Sequence, residues 1–186
     1  MQTVTVPILK AFELLKNVPD DQLQWLIDNS DENIYQEGDL LTKQGDKLGG
    51  PHFIIKGRLS VFMIQSGSKR EIAIFNAGDI TGYLPYSRGV IASASAKAIS
   101  ELHIMSFPTE RIKEMIMNHF ELTQALVHAM SNRVREFTAL QQQNEKMMAL
   151  GKLSAGLTHE LNNPASAIVR DSVSLLEHLK MEPQSF

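Results

Sequence analysis

The 186-residue chain contains no cysteine. Disulfides, thiolate chemistry and cysteine-based zinc sites are thereby excluded, and a reducing cytoplasm is the expected compartment. No apolar run approaches the roughly 20 residues that a membrane helix needs. The N-terminus, Met1-Gln2-Thr3-Val4-Thr5-Val6-Pro7, has neither the basic stretch nor the apolar core of a secretory signal. An excess of one charge is missing too: 18 basic and 21 acidic residues give a formal net charge of -3. That balance offers no electrostatic reason to expect nucleic acid or an anionic membrane as partner. With 43% hydrophobic and 21% charged residues, the chain reads as globular. Its length allows one domain with an extension, or two small ones.

The sequence changes character near residue 107. Residues 8–28 read as one or two short helices, with Phe12, Leu15, Leu23, Leu26 and Ile27 at helical spacings and Pro19-Asp20-Asp21 starting the second. From Ile34 to Phe107 short apolar or alternating runs, such as His52–Ile55, Leu59–Ile64 and Glu71–Phe75, are separated by glycine-bearing turns around Gly38, Gly45, Gly57 and Gly67. Short strands at close intervals predict an antiparallel sandwich or barrel.

Beyond Pro108 the pattern becomes helical. A second long helix is predicted from about Asn118–Phe120, with no strong stop signal before Pro164. Its apolar residues, among them Leu126, Met130, Val134, Phe137, Leu140, Met147, Leu150, Leu153, Leu157 and Leu161, follow spacings of three and four. A helix of that length cannot bury its seam on so small a domain, which predicts a parallel homodimer.

The stretches Tyr35–Asp46, Phe53–Leu59 and Phe75–Asp79 resemble the cyclic-nucleotide-binding domain family over roughly residues 8–118. The resemblance implies an α+β fold: a jelly-roll barrel with flanking helices, followed here by the long coiled-coil helix. In that family the cassette glycine, here Gly82, precedes a Glu for the ribose hydroxyl, and an Arg later meets the cyclic phosphate. This chain has Tyr83 at the first place and Ala92 or Ser93 at the second. A cyclic phosphate without its guanidinium partner loses a charge-assisted pair, so binding of cyclic AMP or cyclic GMP in the usual mode is not expected. One cation stands nearby, in Leu84-Pro85-Tyr86-Ser87-Arg88-Gly89. Gly82, Tyr83, Ser87 and Arg88 are therefore the candidate ligand residues, for a small anion. The plainer readings are a solvated Arg88 in a turn, or a pocket filled by Tyr83 and Tyr86.

The segment Met147–Pro164 ends in Gly156-Leu157-Thr158-His159-Glu160-Leu161-Asn162-Asn163-Pro164 and resembles the H-box of two-component sensor histidine kinases. On a helix His159 lies roughly 200° away from Leu157 and Leu161, so it should face outward. Asn163, four residues on, shares its face. The resemblance implies His159 as phospho-acceptor, with Glu160 and Asn163 as its catalytic neighbours. A neutral imidazole is a competent nucleophile at cytoplasmic pH. Pro164 removes one helical hydrogen bond and should bend the helix. The second ligand of a His-Glu-x-x-His zinc site is replaced by Asn163, so no metal is expected. The other histidines, His52, His103, His119, His128 and His178, are read as having no special role.

Residues 1–118 are thus expected to form the sensor, 119–148 a signalling and dimerisation helix, and 149–186 the first helix of a truncated phosphotransfer domain. By resemblance ATP is the phosphate donor through a domain the chain lacks, a response-regulator receiver domain is the partner, and this piece alone is inactive. Two rivals share the barrel: a regulatory and dimerisation module, and a transcription regulator. The second is disfavoured because nothing after residue 140 reads as a short helix, turn and basic recognition helix.

Overall fold

A computed structural model describes residues 3–65 and 67–181. Helix α1 (Val6–Lys10) opens with a proline in its first turn, where the missing amide costs nothing. Helix α2 (Asp20–Asp28) places Asp20 and Asp21 at its positive end and buries Leu23, Leu26 and Ile27. Eight strands follow among the described residues: β1 (Asp31–Tyr35), β2 (Leu40–Thr42), β3 (Pro51–Lys56), β4 (Arg58–Gln65), β5 (Ser68–Asn76), β6 (Ile80–Gly82), β7 (Ser95–Ala98) and β8 (Leu102–Ser106). They build two antiparallel sheets, in the orders β1-β8-β3-β6 and β2-β7-β4-β5. The expected jelly-roll fold is observed. Gly57, between β3 and β4, shows why a corner demands glycine. Its φ is +90°, and a Cβ there would lie 2.1 Å from the carbonyl oxygen of Glu101.

Alternation along the strands sends neighbouring side chains to opposite faces and so defines two cores. Ile54, Leu59, Ala96, Ala98, Leu102 and Ile104 meet between the sheets. Phe53 and Met105, adjacent to Ile54 and Ile104, face the other way, onto helical residues that include Leu9, Phe12, Leu23 and Leu26. A 3-10 turn (Thr109–Arg111) leads into α3 (Ile112–Asn118) and then α4 (Phe120–Met181). The first turns of α4 bury Leu122, Ala125, Leu126 and Ala129 in the helical core.

Helix α4 does not end at Pro164. It continues past Pro164 to Met181, because a proline deletes one backbone bond while the ladder on either side persists. The chain divides into two compact units, Met1–Val134 and Arg135–Phe186. In the second unit Phe137, Leu140, Met147, Leu150, Leu153 and Leu157 are all more than half exposed. Among the described residues no helix is long and apolar enough to cross a membrane.

Candidate functional site

The cassette begins on β6, which pairs with β3 in the register Pro51 to Gly82, His52 to Thr81 and Phe53 to Ile80. Gly82 has a φ of +79°, and a Cβ there would stand 2.2 Å from the carbonyl oxygen of Gly50 and 2.7 Å from Cδ2 of His52. Only glycine lets the strand approach that closely. The Tyr83 amide donates to the carbonyl of Gly49 at 3.1 Å. Leu84 is fully buried in the helical core, and the half-buried Tyr83 packs against the same core.

The next four residues form a turn closed by the Ser87 amide on the carbonyl of Leu84, at 3.0 Å. Pro85 suits its second position; Tyr86, at φ 63°, occupies the left-handed third position that glycine prefers. Holding a tyrosine there costs about 1 kcal/mol. Tyr86 is 64% exposed, and Arg88 is exposed as well. The expectation that Tyr83 and Tyr86 fill a pocket is therefore corrected: one belongs to the helical core, the other to the surface. Gly82 and Tyr83 lie at the strand end, while Ser87 and Arg88 belong to the turn beyond it.

The small-residue run after the turn is held by backbone bonds. Leu48 donates to Val90, Ala92 donates to Asp46, and Gly45 donates to Ala92, all at 2.8–2.9 Å. The Gln44 amide bonds the Ser95 hydroxyl at 2.9 Å. Thus the Ala92 amide, where the family would hold a phosphate, already has a carbonyl partner, and no guanidinium stands at that position.

Two residues that sequence reasoning left aside turn out to hold the cassette. Arg133, on α4, donates from Nη1 to the carbonyl of Gly82 at 2.9 Å and from Nη2 to the carbonyl of Ile80 at 3.1 Å. A cation set between Met130 and Val134 in an apolar stripe was the signal for it. His52 bonds Ser106 Oγ through Nδ1 at 2.8 Å, and burial pushes its pKa down to about 4. The ring is therefore neutral at pH 7. His103 is also engaged, with Nε2 3.0 Å from Glu32. Partial burial of Glu32 opposes its ionisation, but bonds from the Thr3 hydroxyl, the Val4 and Thr3 amides and His103 outweigh that and hold its pKa at about 2. The Glu32 carboxylate so pins the N-terminal segment to β1. Neither His52 nor His103 is the idle side chain expected from sequence.

His159 and Glu160 lie on α4, but their side chains fall outside the described residues; Asn163 and Pro164 are exposed. Among the described residues no group of histidine and acidic side chains could hold a metal ion.

With this geometry in hand, comparison with known proteins defines the class. Residues 32–119 match the family model of the cyclic nucleotide-binding domain. Among solved structures, the catabolite activator protein of Thermus thermophilus is 19% identical, with a TM-score of 0.61 over 70% of this chain and 61% of that one. The sensor domain of the transcriptional regulator DNR from Pseudomonas aeruginosa is 18% identical, with a TM-score of 0.59 over 70% of this chain and 88% of that one. The N-terminal domain of a transcriptional regulator from Streptomyces coelicolor is 18% identical, with a TM-score of 0.58 over 72% and 94%. At such identities the likeness concerns the fold. No curated protein sequence matches the chain. Residues 32–119 are thus similar to the cyclic nucleotide-binding domain, a long helix follows, and the family match ends before the H-box-like segment.

Proposed function

We propose that the chain is a regulatory module, in which a cyclic-nucleotide-binding-type domain sets the state of the helix that leaves it. The observation that carries this reading is Arg133. One guanidinium on α4 holds two carbonyls of the cassette strand, so a cassette displaced by a ligand must break or move a contact on the exit helix. The ligand is a small molecule other than a cyclic nucleotide bound in the usual mode, since Tyr83 and the Ala92–Ser93 pair replace the groups that would grip ribose and phosphate. A small anion at the Ser87–Arg88 turn fits the exposed cation there. Output requires a second copy: the apolar side chains from Phe137 to Leu157 on the exit helix are more than half exposed. Sedimentation of the chain, with and without Leu150→Asp and Leu153→Asp, tests this. A concentration-dependent dimer that the double variant abolishes is expected, and a monomer at all concentrations would refute it.

A second reading concerns what the module controls. His159-Glu160 and Asn163-Pro164 on a continuous helix favour phosphotransfer: His159 accepts the γ-phosphoryl of ATP from a separate catalytic domain and passes it to a response-regulator aspartate. An acid-labile phosphoprotein formed with such a domain and lost in His159→Gln is the expected result; a phosphoprotein that survives the change removes the reading. Control of transcription, the role named for the Pseudomonas and Streptomyces proteins, is less favoured. Through Met181 the described chain after the domain is one helix, not a helix-turn-helix.

A further inference from the structure

The His52 ring sits in a slot at the root of the cassette. A Cβ on Gly82 would meet its Cδ2 at 2.7 Å, and a Cβ on Gly49 would meet its Nε2 and Cε1 at 3.1 and 3.2 Å. The ring is thus packed edge-on between two glycine backbones, one of them the end of β6. Its hydrogen-bond partner among the described residues is the neutral Ser106 hydroxyl of β8. Thr81 faces it in register on β6, and the Gly49–Gly50 segment offers backbone alone. The charged group tied to the same strand end is the guanidinium of Arg133 from α4, on the carbonyl of Gly82. No carboxylate is bonded to the ring among the described residues.

A neutral imidazole fits these surroundings and an imidazolium does not. Protonation would place a second cation beside a strand end that already holds Arg133, in a slot where the ring's bonded partner is a neutral hydroxyl. The backbones of Gly49 and Gly82 on either side leave the ring little room to shift in place.

We propose that His52 is a proton-operated latch. The neutral ring fills the slot and keeps β6 against β3; a proton on it drives the ring into water, frees the Ile80–Leu84 strand end and loosens the hold of Arg133. A proton thereby becomes an input to the module, a consequence that rests on the regulatory reading above. The burial that holds the closed ring's pKa near 4, against 6.5 for a free imidazole, agrees with the geometry. The same two values make the open state about tenfold more populated at roughly pH 5.5 than at neutral pH.

Amide hydrogen exchange of the 186-residue chain at about pH 7.5 and about pH 5.5, corrected for the chemical rate, tests the latch. The expected result is an opening of Ile80–Leu84 that rises about tenfold at the lower pH while Leu59–Val61 stay unchanged, and no such rise in His52→Gln, whose amide can still bond Ser106. An unchanged Ile80–Leu84, an equal rise in His52→Gln, or a parallel rise throughout the domain would each overturn the proposal. Should His52→Gln not fold, nuclear magnetic resonance of the wild-type chain decides. The His52 ring and the Gly82 amide are expected to titrate together, and a ring that titrates beside a stationary Gly82 amide rejects the latch. Exchange is read within the sensor domain, so a failed latch leaves the regulatory reading intact, and failure to dimerise leaves the latch intact.

Discussion

Leu84 and Leu150 carry the same side chain in opposite circumstances. Leu84 is fully buried beneath the cassette, among residues of α1, α2 and the start of α4; Leu150, on α4, is 64% exposed. The contrast extends to their regions. Between Val4 and Ala129 the large apolar side chains largely find partners in the chain, and short strands joined by glycine turns close two cores on themselves. Beyond Val134 the helix keeps an apolar seam whose described side chains are more than half exposed. The first region is complete as a folding unit. The second carries an apolar pattern of the kind that the proposed dimer would cover.

Truncation should separate the two regions most sharply. Phe53→Ala removes a fully buried ring that packs edge-on against Phe12 at 6.2 Å, and should cost about 3–5 kcal/mol of unfolding free energy in urea. Leu150→Ala, measured at concentrations too low for association, should change stability by no more than about 0.5 kcal/mol. Equal losses would mean that α4 beyond Val134 is buried within a single chain, and the comparison would collapse.

Acid distinguishes the regions next. The pKa of His52 is about 4 in the fold and 6.5 when free, so the unfolded chain binds the extra proton between those values. Stability is then full above about pH 6.5, falls as pH drops towards 4, and loses nothing more from this group below that. The loss amounts to at most about 3 kcal/mol. Local release of the cassette would cap it at a smaller value. Glu32 acts in a lower window: its depressed pKa contributes stability above about pH 4.5 that is lost as pH falls towards 2. Melting curves across pH 4–7 for wild type and His52→Gln check the first window; a variant with the same slope would show that another group carries it.

Why one part of this site was legible and another was not follows from how each residue acts. The jelly roll could be read because its corners need glycines at definite intervals, and Gly57 and Gly82 reveal their steric reason directly. The replacement of the family's ribose and phosphate residues could be read because those groups are single, named side chains. Arg133 and His52 could not. The place of Arg133 in an apolar stripe marks it as engaged, but its partners lie some 50 residues earlier in the chain and leave no local pattern; His52 owes its state to a slot flanked by glycine backbone. Pro164 acts on one hydrogen bond, whereas helix length depends on the whole ladder, so α4 runs past it to Met181.

The contact between cassette and helix gives a smaller effect. Arg133→Ala removes two charge-assisted bonds to carbonyls and should cost about 1–3 kcal/mol. The neighbouring, exposed Arg135→Ala should change stability by less than about 0.5 kcal/mol. Hydrogen exchange at Ile80–Gly82 should quicken in the first variant and not in the second. If both variants behaved like wild type, the cassette would be held by its pairing with β3 and the packing of Tyr83 and Leu84, and Arg133 would not couple it to α4.

The smallest expected effect is none at all. A ligand present at 100 times its dissociation constant stabilises a fold by about 2.7 kcal/mol, which for a domain of this size raises the melting temperature by several degrees. Cyclic AMP at millimolar concentration should leave it unmoved, because the fold remains while the groups that would meet the phosphate and ribose do not. The amide of Ala92 is bonded to Asp46, and Tyr83 faces the helical core. A shift of several degrees would show that another donor replaces the missing guanidinium, and Arg88 is the side chain to test first. Arg88→Ala would then abolish the shift if the exposed turn folds over the ligand, and would leave it intact if the nucleotide binds elsewhere.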